Sequence, residues 1–163
     1  YVCVPKNLVA KVPNNVTDEE AAFTVIASIG LNGIRLAKPT YGETFLVSGL
    51  GLIGLITSQL LMSNGCKVLG VDPDQSRCDI AQSLGMLSLR LSDSNDVVEW
   101  CRKQTKNNGI DGVLITASTK SNSPIDTAAK VCRKRGRIDM NGVTGLNLSR
   151  DLIYEKELTF QVS

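Results

Sequence analysis

Residues 47–54 read Val-Ser-Gly-Leu-Gly-Leu-Ile-Gly, and this stretch decides the fold. It ends a short apolar run, 44–48, that predicts a strand, and it opens an apolar run, 52–64, that predicts a helix. A strand, a tight glycine turn and a helix in this order form the unit that cradles a dinucleotide pyrophosphate. Backbone amides at the helix start point at the anion, and the helix dipole favours negative charge there. Glycines also mark ordinary turns, so a purely structural turn is the alternative.

The three glycines of this Gly-x-Gly-x-x-Gly run are expected to have separate roles. Gly49 makes the tight turn, Gly51 lets the backbone approach the pyrophosphate, and Gly54 lets the helix pack close to the strand. Leu52 and Ile53 would contribute backbone amides, so the site requires no particular side chain at either position.

An acidic residue follows the next predicted strand. Asp72 ends the apolar run 67–71 and lies 18 residues after Gly54. An acid at this place accepts hydrogen bonds from the adenosine ribose and repels a 2′-phosphate, which predicts NAD rather than NADP. A turn aspartate before Pro73 is the alternative. Arg77 is expected to reach the same ribose or to stack near the adenine, which keeps some NADP use conceivable; a solvated surface arginine is its alternative.

Short apolar strands alternate with helices along the rest of the chain. The predicted helices lie near 52–64, 75–84, 94–106 and 124–134, and the predicted strands are 44–48, 67–71, 87–91, 112–116, 137–141 and 158–162. This alternation favours a parallel sheet covered on both faces. We therefore predict an α/β fold, a Rossmann doubly wound parallel sheet of six strands in order 3-2-1-4-5-6.

Several residues are expected to mark the ends of these helices. Ser123-Pro124 supplies an N-cap with proline at the first helical position. A basic run at 133–137 lies where the last turn of a helix is predicted, and cations there complement the dipole. Left-handed glycine caps are expected after the four helices, at Gly65, Gly85, Gly109 and Gly136.

The segment before the glycine turn predicts a further helix. Thr17-Asp18-Glu19-Glu20 fits a capping box, and the helical character stops before Pro39. Gly30 and Gly33 either break this helix or allow close packing. The residues available for burial are Ala21, Ala22, Val25, Ile26 and Ile29.

The predicted strand 137–141 alternates polar and apolar residues, unlike a central parallel strand. Asp139 and Asn141 therefore either face water or are buried with partners. Burying Asp139 alone would cost several kcal/mol, so we expect it to be paired or solvated.

In a doubly wound sheet the ligand lies across the carboxyl ends of the strands. Thr116 and Ala117 end the fourth predicted strand, and Gly142 follows the fifth. These small residues leave room for the adenosine and nicotinamide portions of the cofactor, whereas simple loop chemistry is the better reading of Ser118.

Composition excludes several other classes of protein. The 163 residues, 42% hydrophobic, fit one domain with a full core, and no apolar run approaches a membrane span. The net charge of +2 gives no reason to expect a nucleic-acid partner. Five cysteines without a Cys-x-x-Cys pair predict reduced thiols and a cytoplasmic location. Histidine is absent, and Tyr154 has no lysine four residues on, so no catalytic residues or metal ligands are predicted.

Residues 33–54 read Gly-Ile-Arg-Leu-Ala-Lys-Pro-Thr-Tyr-Gly-Glu-Thr-Phe-Leu-Val-Ser-Gly-Leu-Gly-Leu-Ile-Gly. This stretch resembles the medium-chain dehydrogenase/reductase family, the zinc-type alcohol dehydrogenases. The motifs at 17–22, 71–72, 136–137 and 156–158 share the likeness, and the ending 154–163 further resembles two-part oxidoreductases found with bacterial polysaccharide biosynthesis. The resemblance implies a domain at 17–163 that binds NAD(H) for hydride transfer to or from an alcohol or carbonyl substrate. It also implies that 1–16 is the tail of a missing catalytic domain, without which the chain is inactive.

The resemblance carries over residue by residue. Gly49, Gly51, Gly54 and Asp72 take the family's cofactor roles, and Arg77 matches its basic ribose contact. Thr24 stands where the family's zinc enzymes place a cysteine ligand, which puts catalytic zinc in doubt. The resemblance also implies a homodimer that pairs the edge strand beginning at Leu158 and ending at Val162, and an unpaired strand edge is a plausible pairing site on physical grounds.

Two other classes of function remain open at this point. One is a regulatory domain that senses NAD without catalysis, although such domains usually begin at the glycine strand. The other is a methyltransferase, which also combines a glycine turn with an acid after the second strand. The third glycine, at Gly54, favours the dinucleotide.

Overall fold

The computed structural model describes residues 2–92 and 96–163, and these form one parallel sheet with helices on both faces. The strand order is β3-β2-β1-β4-β5-β6, and every neighbouring pair is parallel, which confirms the predicted Rossmann topology. The strands are β1 (Thr44–Ser48), β2 (Lys67–Asp72), β3 (Leu87–Arg90), β4 (Ile110–Ile115), β5 (Cys132–Met140) and β6 (Thr159–Val162).

Seven α-helices and one short 3₁₀ helix, Lys6–Leu8, lie in the described ranges. The α-helices are α1 (Asp18–Ala21), α2 (Thr24–Ala37), α3 (Leu52–Ser63), α4 (Gln75–Ser83), α5 (Val97–Gln104), α6 (Ser123–Val131) and α7 (Arg150–Glu155). The predicted start of the helix near 94–106 falls on residues outside the described ranges.

Two hydrophobic cores cover the two faces of the sheet. On one face α2, α3 and α4 pack against side chains that include Phe45 and Val47. On the other face α5, α6 and α7 pack against side chains that include Leu46 and Ile138. Because successive strand residues point to opposite faces and both faces are covered, β1 is apolar almost throughout. This burial fixes the strand ends that form the site.

Local signals placed most helix ends correctly. Thr17 and Glu20 form the predicted capping box. Gly65 and Gly85 follow the C-caps of α3 and α4 with φ angles of 79° and 88°, which confirms two of the four left-handed caps; after α5 the left-handed position is taken by Lys106, with a φ of 51°, rather than by Gly109.

The prediction around the basic run was wrong. Helix α6 ends at Val131, and the basic residues lie in β5 rather than in a last helical turn. Gly136 is not a left-handed cap; Arg135 instead has a φ of 60°, and its backbone amide donates to the Lys156 carbonyl oxygen. The N-cap of α6 is Asn122, one residue before the predicted Ser123.

The predicted buried face of α2 was also wrong. Val25 and Ile29 are 74% and 39% exposed, and Ala22 is exposed as well. Gly30 and Gly33 are buried and do not break the helix. A Cβ on Gly30 would lie 2.1 Å from the Thr57 hydroxyl oxygen. The helix therefore packs through the face that contains Gly30, Gly33, Ile34 and Ala37, which leaves Val25 and Ile29 exposed.

Candidate functional site

A cavity of about 580 Å³ opens at the carboxyl ends of the strands, beside the β1–β4 pair where the strand order reverses. This is the place where doubly wound sheets bind their ligands. The lining residues come from the ends of β1, β2 and β4, from the start of α6 and from the connecting loops: Ser48, Gly49, Gly51, Val71, Asp72, Pro73, Arg77, Leu91, Thr116, Ala117, Ser118, Thr119, Ser121, Ser123, Pro124 and Thr127.

The glycine turn has the geometry that the sequence predicts. Gly49 has a φ of +102°, in the left-handed region that favours glycine, and its amide donates to the Val71 carbonyl oxygen at 2.9 Å. A Cβ on Gly54 would lie 1.9 Å from the Gly49 carbonyl oxygen, so α3 can start this close to the turn only with glycine there. A Cβ on Gly51 would meet nothing within 4 Å, so the backbone there faces open space.

Helix α3 begins directly at this turn and presents unpaired amides to it. Gly51 is the N-cap and supplies no side-chain cap, and the first turn contains no acidic residue. The amides of Leu52, Ile53 and Gly54 therefore precede the first intrahelical bond, which Leu55 donates to the Gly51 carbonyl oxygen at 2.9 Å. Together with the helix dipole they form an anion-binding end. Leu52, Ile53 and Gly54 do not line the cavity with side chains.

Asp72 is only 1% exposed, and backbone amides hold its carboxylate in place. Oδ2 accepts a hydrogen bond from the Leu50 amide at 2.7 Å, and Oδ1 accepts one from the Asp74 amide at 2.9 Å. The first bond connects β2 to the glycine turn. Asp72 therefore fixes the shape of the turn as well as lining the cavity.

Arg77 lies between two carboxylates at the cavity wall. Its Nη1 is 3.6 Å from Asp72 Oδ2, and its Nε is 3.8 Å from Asp74 Oδ2. The side chain is 51% exposed. Hydrogen bonds from the Ser76 hydroxyl and amide, helped by the charge of Arg77, hold the pKa of Asp74 below its ordinary value. Arg77 is therefore accompanied by two negative charges.

The loop after β4 forms the opposite wall, and the loop after β5 packs behind it. The Thr116 hydroxyl donates to the Gly49 carbonyl oxygen at 2.6 Å, which ties β4 to the glycine turn. Ala117 lines the cavity. Gly142 does not line it; a Cβ there would lie 2.1 Å from the Ala117 carbonyl oxygen, so glycine lets the two loops pack together. The structure thus brings together six of the predicted site residues in the cavity lining: Gly49, Gly51, Asp72, Arg77, Thr116 and Ala117.

Sequence reasoning missed the hydroxyl-rich side of this cavity. Thr119, Ser121, Ser123 and Thr127 line it, together with Ser118. A reciprocal pair holds this loop: the Asn122 side chain donates to the Asn147 carbonyl oxygen and accepts from the Asn147 amide, both at 2.7 Å. The one sequence signal was the concentration of hydroxyl residues at 116–123, directly after a predicted strand.

The described residues do not fit a metal ion. Within 2–92 and 96–163 no group of three or more His, Cys, Asp or Glu side chains is placed to hold one. Thr24 lies exposed at the first position of α2. Cys66, Cys78, Cys101 and Cys132 are buried, and burial raises the pKa of each thiol, to about 12 for Cys101 and Cys132.

None of the helices formed by the described residues has the length and apolar character that crossing a membrane requires.

Comparison with known proteins agrees with this geometry. The uncharacterized zinc-type alcohol dehydrogenase-like protein YdjJ of Escherichia coli K12 is 29% identical over 99% of the chain, which covers 46% of that protein. An E. coli oxidoreductase/dehydrogenase of unknown specificity, described as involved in membrane biogenesis, superposes with a TM-score of 0.89 at 27% identity, covering 99% of this chain and 47% of that one.

The structure of an E. coli CFT073 alcohol dehydrogenase complexed with NADH shares the fold, with a TM-score of 0.86 at 24% identity. The superposition covers 98% of this chain and 48% of the dehydrogenase. The chain spans less than half the length of each of these three proteins. The model of the zinc-binding dehydrogenase family matches residues 53–163. With the Rossmann topology and the glycine turn, this match shows that the chain belongs to the zinc-binding dehydrogenase family.

Proposed function

We propose that this chain is the NAD(H)-binding domain of an alcohol dehydrogenase-like oxidoreductase, which transfers hydride to or from an alcohol or carbonyl substrate. One observation carries the proposal: the open backbone at Gly51, where α3 begins, and the buried carboxylate of Asp72 line a single cavity. An anion cradle and a ribose acceptor at this spacing are what a dinucleotide requires. The family match and the NADH complex of a structural neighbour support the same cofactor class.

Each part of the cofactor has residues that suit it. The amides of Leu52 and Ile53 would hold the pyrophosphate, and Asp72 with Arg77 would hold the adenosine ribose. Thr116, Ala117 and Gly142 would border the remaining portions of the cofactor at the ends of β4 and β5. When bound, the nicotinamide supplies the hydride chemistry. The chain's own residues bind and orient it.

We further propose a preference for NAD over NADP. The Asp72 carboxylate would repel a 2′-phosphate placed on the ribose, and its position is fixed by two backbone amides. Arg77 is the nearest cation, but Asp72 and Asp74 already accompany it. An arginine between two carboxylates offers a weaker site for a phosphate than a free one.

Calorimetric titration of the chain with NADH, NADPH and S-adenosylmethionine tests both proposals. We expect NADH to bind more tightly than NADPH, and no binding of S-adenosylmethionine. Tighter binding of NADPH would refute the assigned role of Asp72. Binding of S-adenosylmethionine alone would refute the dehydrogenase function. Binding of NADH to a full-length protein that turns over no alcohol or carbonyl compound would favour an NAD-sensing domain instead.

A variant of Asp74 tests the preference more selectively than one of Asp72. Removing the Asp72 carboxylate would also leave the buried Leu50 amide without an acceptor, which mixes stability with selectivity. Asp74→Asn releases Arg77 from one carboxylate, so the NADPH affinity is expected to rise relative to that for NADH. Asp79→Asn is the matched control, because Asp79 is exposed on the same helix and accepts from Gln75 rather than from an arginine. Equal shifts in both variants would contradict the proposed role of Arg77.

The partners that we propose are the rest of a longer protein and a small-molecule substrate. Relatives are about twice as long as this chain, and α1 and α2 expose an apolar patch made of Phe23, Val25 and Ile29. We propose that a catalytic domain of the same protein covers this patch. No nucleic-acid or membrane partner enters the proposal, and the buried thiols suit a cytoplasmic location.

We also propose a homodimer that pairs β6 with its symmetry mate. Strand β6 pairs with β5 and stands at the end of the sheet order. Sedimentation across a range of concentrations tests this, with a proline at Val162 as the variant that removes a backbone donor from the free edge, because the next amide, that of Ser163, donates to Met140 of β5 and the Val162 amide therefore faces away from β5. A monomer at all concentrations would overturn the proposal.

A further inference from the structure

Two polar residues at the end of strand β5 lie under helix α2. Asp139 lies in β5 and Asn141 directly follows the strand, and both side chains face Gly33 of α2. Asp139 is 1% exposed, and Leu114 of β4 and Gln161 of β6 stand beside it in the register. Both of its carboxyl oxygens, and Oδ1 of Asn141, are buried without a hydrogen-bond partner among the described residues. The expectation that Asp139 is paired or solvated was therefore wrong.

Helix α2 lies directly over these oxygens because it presents a glycine there. A Cβ on Gly33 would lie 2.6 Å from Asp139 Oδ2 and 2.3 Å from Asn141 Oδ1. The two oxygens therefore converge on one point beneath the helix. The Asn141 amide nitrogen donates to the Ile29 carbonyl oxygen of α2 at 2.9 Å, which orients Oδ1 away from that carbonyl. Asn141 thus connects the helix to the end of β5.

None of the charged groups described around Asp139 is paired with it. On its own strand, Arg137 points to the same side but donates to Glu43 and to the Lys38 carbonyl oxygen. The cationic residues of α2 and its C-cap, Arg35 and Lys38, are exposed. Strand β6 contains no charged residue, and strand β4 contains only Asp111, whose oxygens accept from Arg133 and from the Thr44 amide.

No hydrogen bond reaches the three buried oxygens from the described residues: the Asn141 amide nitrogen, which would lie 2.4 Å from a Cβ on Gly33, donates to the Ile29 carbonyl oxygen instead. A buried carboxylate without a cation or donor is costly, and such groups commonly become neutral instead. Burial raises the pKa of Asp139 to about 6. The nearby Ser163 hydroxyl acts in the opposite direction and lowers the pKa, and in this structure it donates to the Met140 carbonyl oxygen at 3.4 Å. One proton on Asp139 would supply the missing donor.

We propose that Asp139 is held as a neutral carboxylic acid whose hydroxyl donates to Oδ1 of Asn141, and that this pair positions α2 over the cavity end of β5. The pair reaches the site through the backbone. The amides of Asn141 and Gly142 both donate to the Ile115 carbonyl oxygen, at 3.0 and 2.8 Å, and Gly142 packs against Ala117 of the cavity wall. Asp139 is thus a positioning residue rather than a catalytic one.

Ionisation would remove the donor and set a negative charge against the Asn141 oxygen. The amide would then lose its fixed orientation, and α2 would lose its attachment to β5. Insofar as the cavity binds NADH, which rests on the proposed function, NADH affinity would fall as the pH rises through the pKa of Asp139.

A carbon-13 NMR titration of the aspartate side-chain carboxyls tests the protonation directly in the unmodified chain. The Asp139 signal, assigned by its absence in Asp139→Asn, is expected to titrate near pH 6, above the ordinary range of an aspartate. A transition at pH 4 or below would overturn the neutral acid.

Hydrogen exchange and NADH titration then test positioning. Asp139→Asn keeps a donor for Asn141 at every pH, so protection of the α2 amides should stay constant between pH 5 and 8, while wild type loses protection several-fold above pH 6. NADH affinity should follow the same pattern, with Asp151→Asn behaving as wild type. Equal pH dependence of exchange in wild type and Asp139→Asn would overturn the positioning role. Absence of NADH binding at every pH would refute the proposed function and leave the NMR and exchange results to decide this proposal.

Discussion

Replacing Gly30 with alanine tests how closely α2 packs against α3. Alanine is the better helix former by about 1 kcal/mol, so on propensity alone the variant would gain stability. The new Cβ, however, would lie 2.1 Å from the hydroxyl oxygen and 3.2 Å from the Cβ of Thr57, which is fully buried on α3. An ordinary contact needs 3.4 to 4 Å, so the oxygen would have to move by more than 1 Å.

The expected result is a net loss of stability. Overpacking of this kind costs about 1–3 kcal/mol, and Thr57 has little freedom because a β-branched side chain in a helix has few rotamers. After the gain in propensity, Gly30→Ala should be less stable than wild type by up to about 2 kcal/mol. Urea unfolding followed by fluorescence of Trp100, the single tryptophan, measures this loss.

A double-mutant cycle identifies the cause. The Thr57 hydroxyl is buried without a hydrogen-bond partner among the described residues. Thr57→Ala removes this unsatisfied hydroxyl, which favours stability, and a buried methyl, which opposes it. Its free energy of unfolding should therefore lie within about 1 kcal/mol of wild type. Combined with Gly30→Ala it should restore most of the lost stability, giving a coupling of about 1–2 kcal/mol. Asn32→Ala, exposed on the same helix, controls for propensity. Additivity of the two substitutions within about 0.5 kcal/mol would refute the close packing of Gly30 on Thr57.

Three further predictions concern buried groups. The pKa of Asp139 is about 6 in the fold and 3.8 ordinarily, so the folded state binds more protons than the unfolded state between these pH values. The free energy of unfolding should therefore fall by about 3 kcal/mol, relative to Asp139→Asn, as the pH rises from 3.8 to 6 and beyond. The same pH dependence of urea unfolding in both proteins would contradict this. Only Cys3 should react quickly with Ellman's reagent in the folded chain, since the other four thiols are buried; a second fast thiol would show that a core cysteine is accessible. Lys156→Met should lower the free energy of unfolding in urea by about 1–3 kcal/mol, because the Lys156 ammonium donates to three carbonyl oxygens at the end of α6. An unchanged urea midpoint would mean that water replaces these hydrogen bonds without loss of stability.

The parts of the fold that the sequence predicts well are those with local causes. The strand Thr44–Ser48 has the predicted bounds, and α3 starts at the predicted Leu52, because a short apolar run and a glycine turn specify both ends. Asp72 was identifiable for the same reason: it stands at the end of a strand, and strand ends of a parallel sheet converge. The cavity therefore lies where the sequence predicts it.

The basic run shows where local signals fail. A glycine preceded by cations is typical of a helix end, and it is equally compatible with an irregular strand. In the fold, β5 starts at Cys132, and its register against β4 shifts between Ile110 and Gly112. Arg135 takes the left-handed conformation there because its amide pairs with the Lys156 carbonyl oxygen, from a residue 21 positions later in the chain. A partner this far along the chain leaves no signal in the local pattern.

The prediction of the buried face of α2 fails for a different reason. The same reason explains why polar groups are buried beneath this helix. Its hydrophobic periodicity favours one face, but the expectation selected Val25 and Ile29, whereas the fold buries a face that contains Gly30, Gly33, Ile34 and Ala37. Burying this face brings the helix backbone close enough for the Ile29 carbonyl oxygen to accept from Asn141. A glycine has no side chain that could hydrogen-bond to the polar groups it covers. The hydroxyl of Thr57, under Gly30, and the carboxyl of Asp139, under Gly33, therefore have no hydrogen-bond partner among the described residues. Val25 and Ile29 remain outside, on the surface that we assign to the catalytic domain. One packing choice therefore accounts for both the proton on Asp139 and the exposed patch.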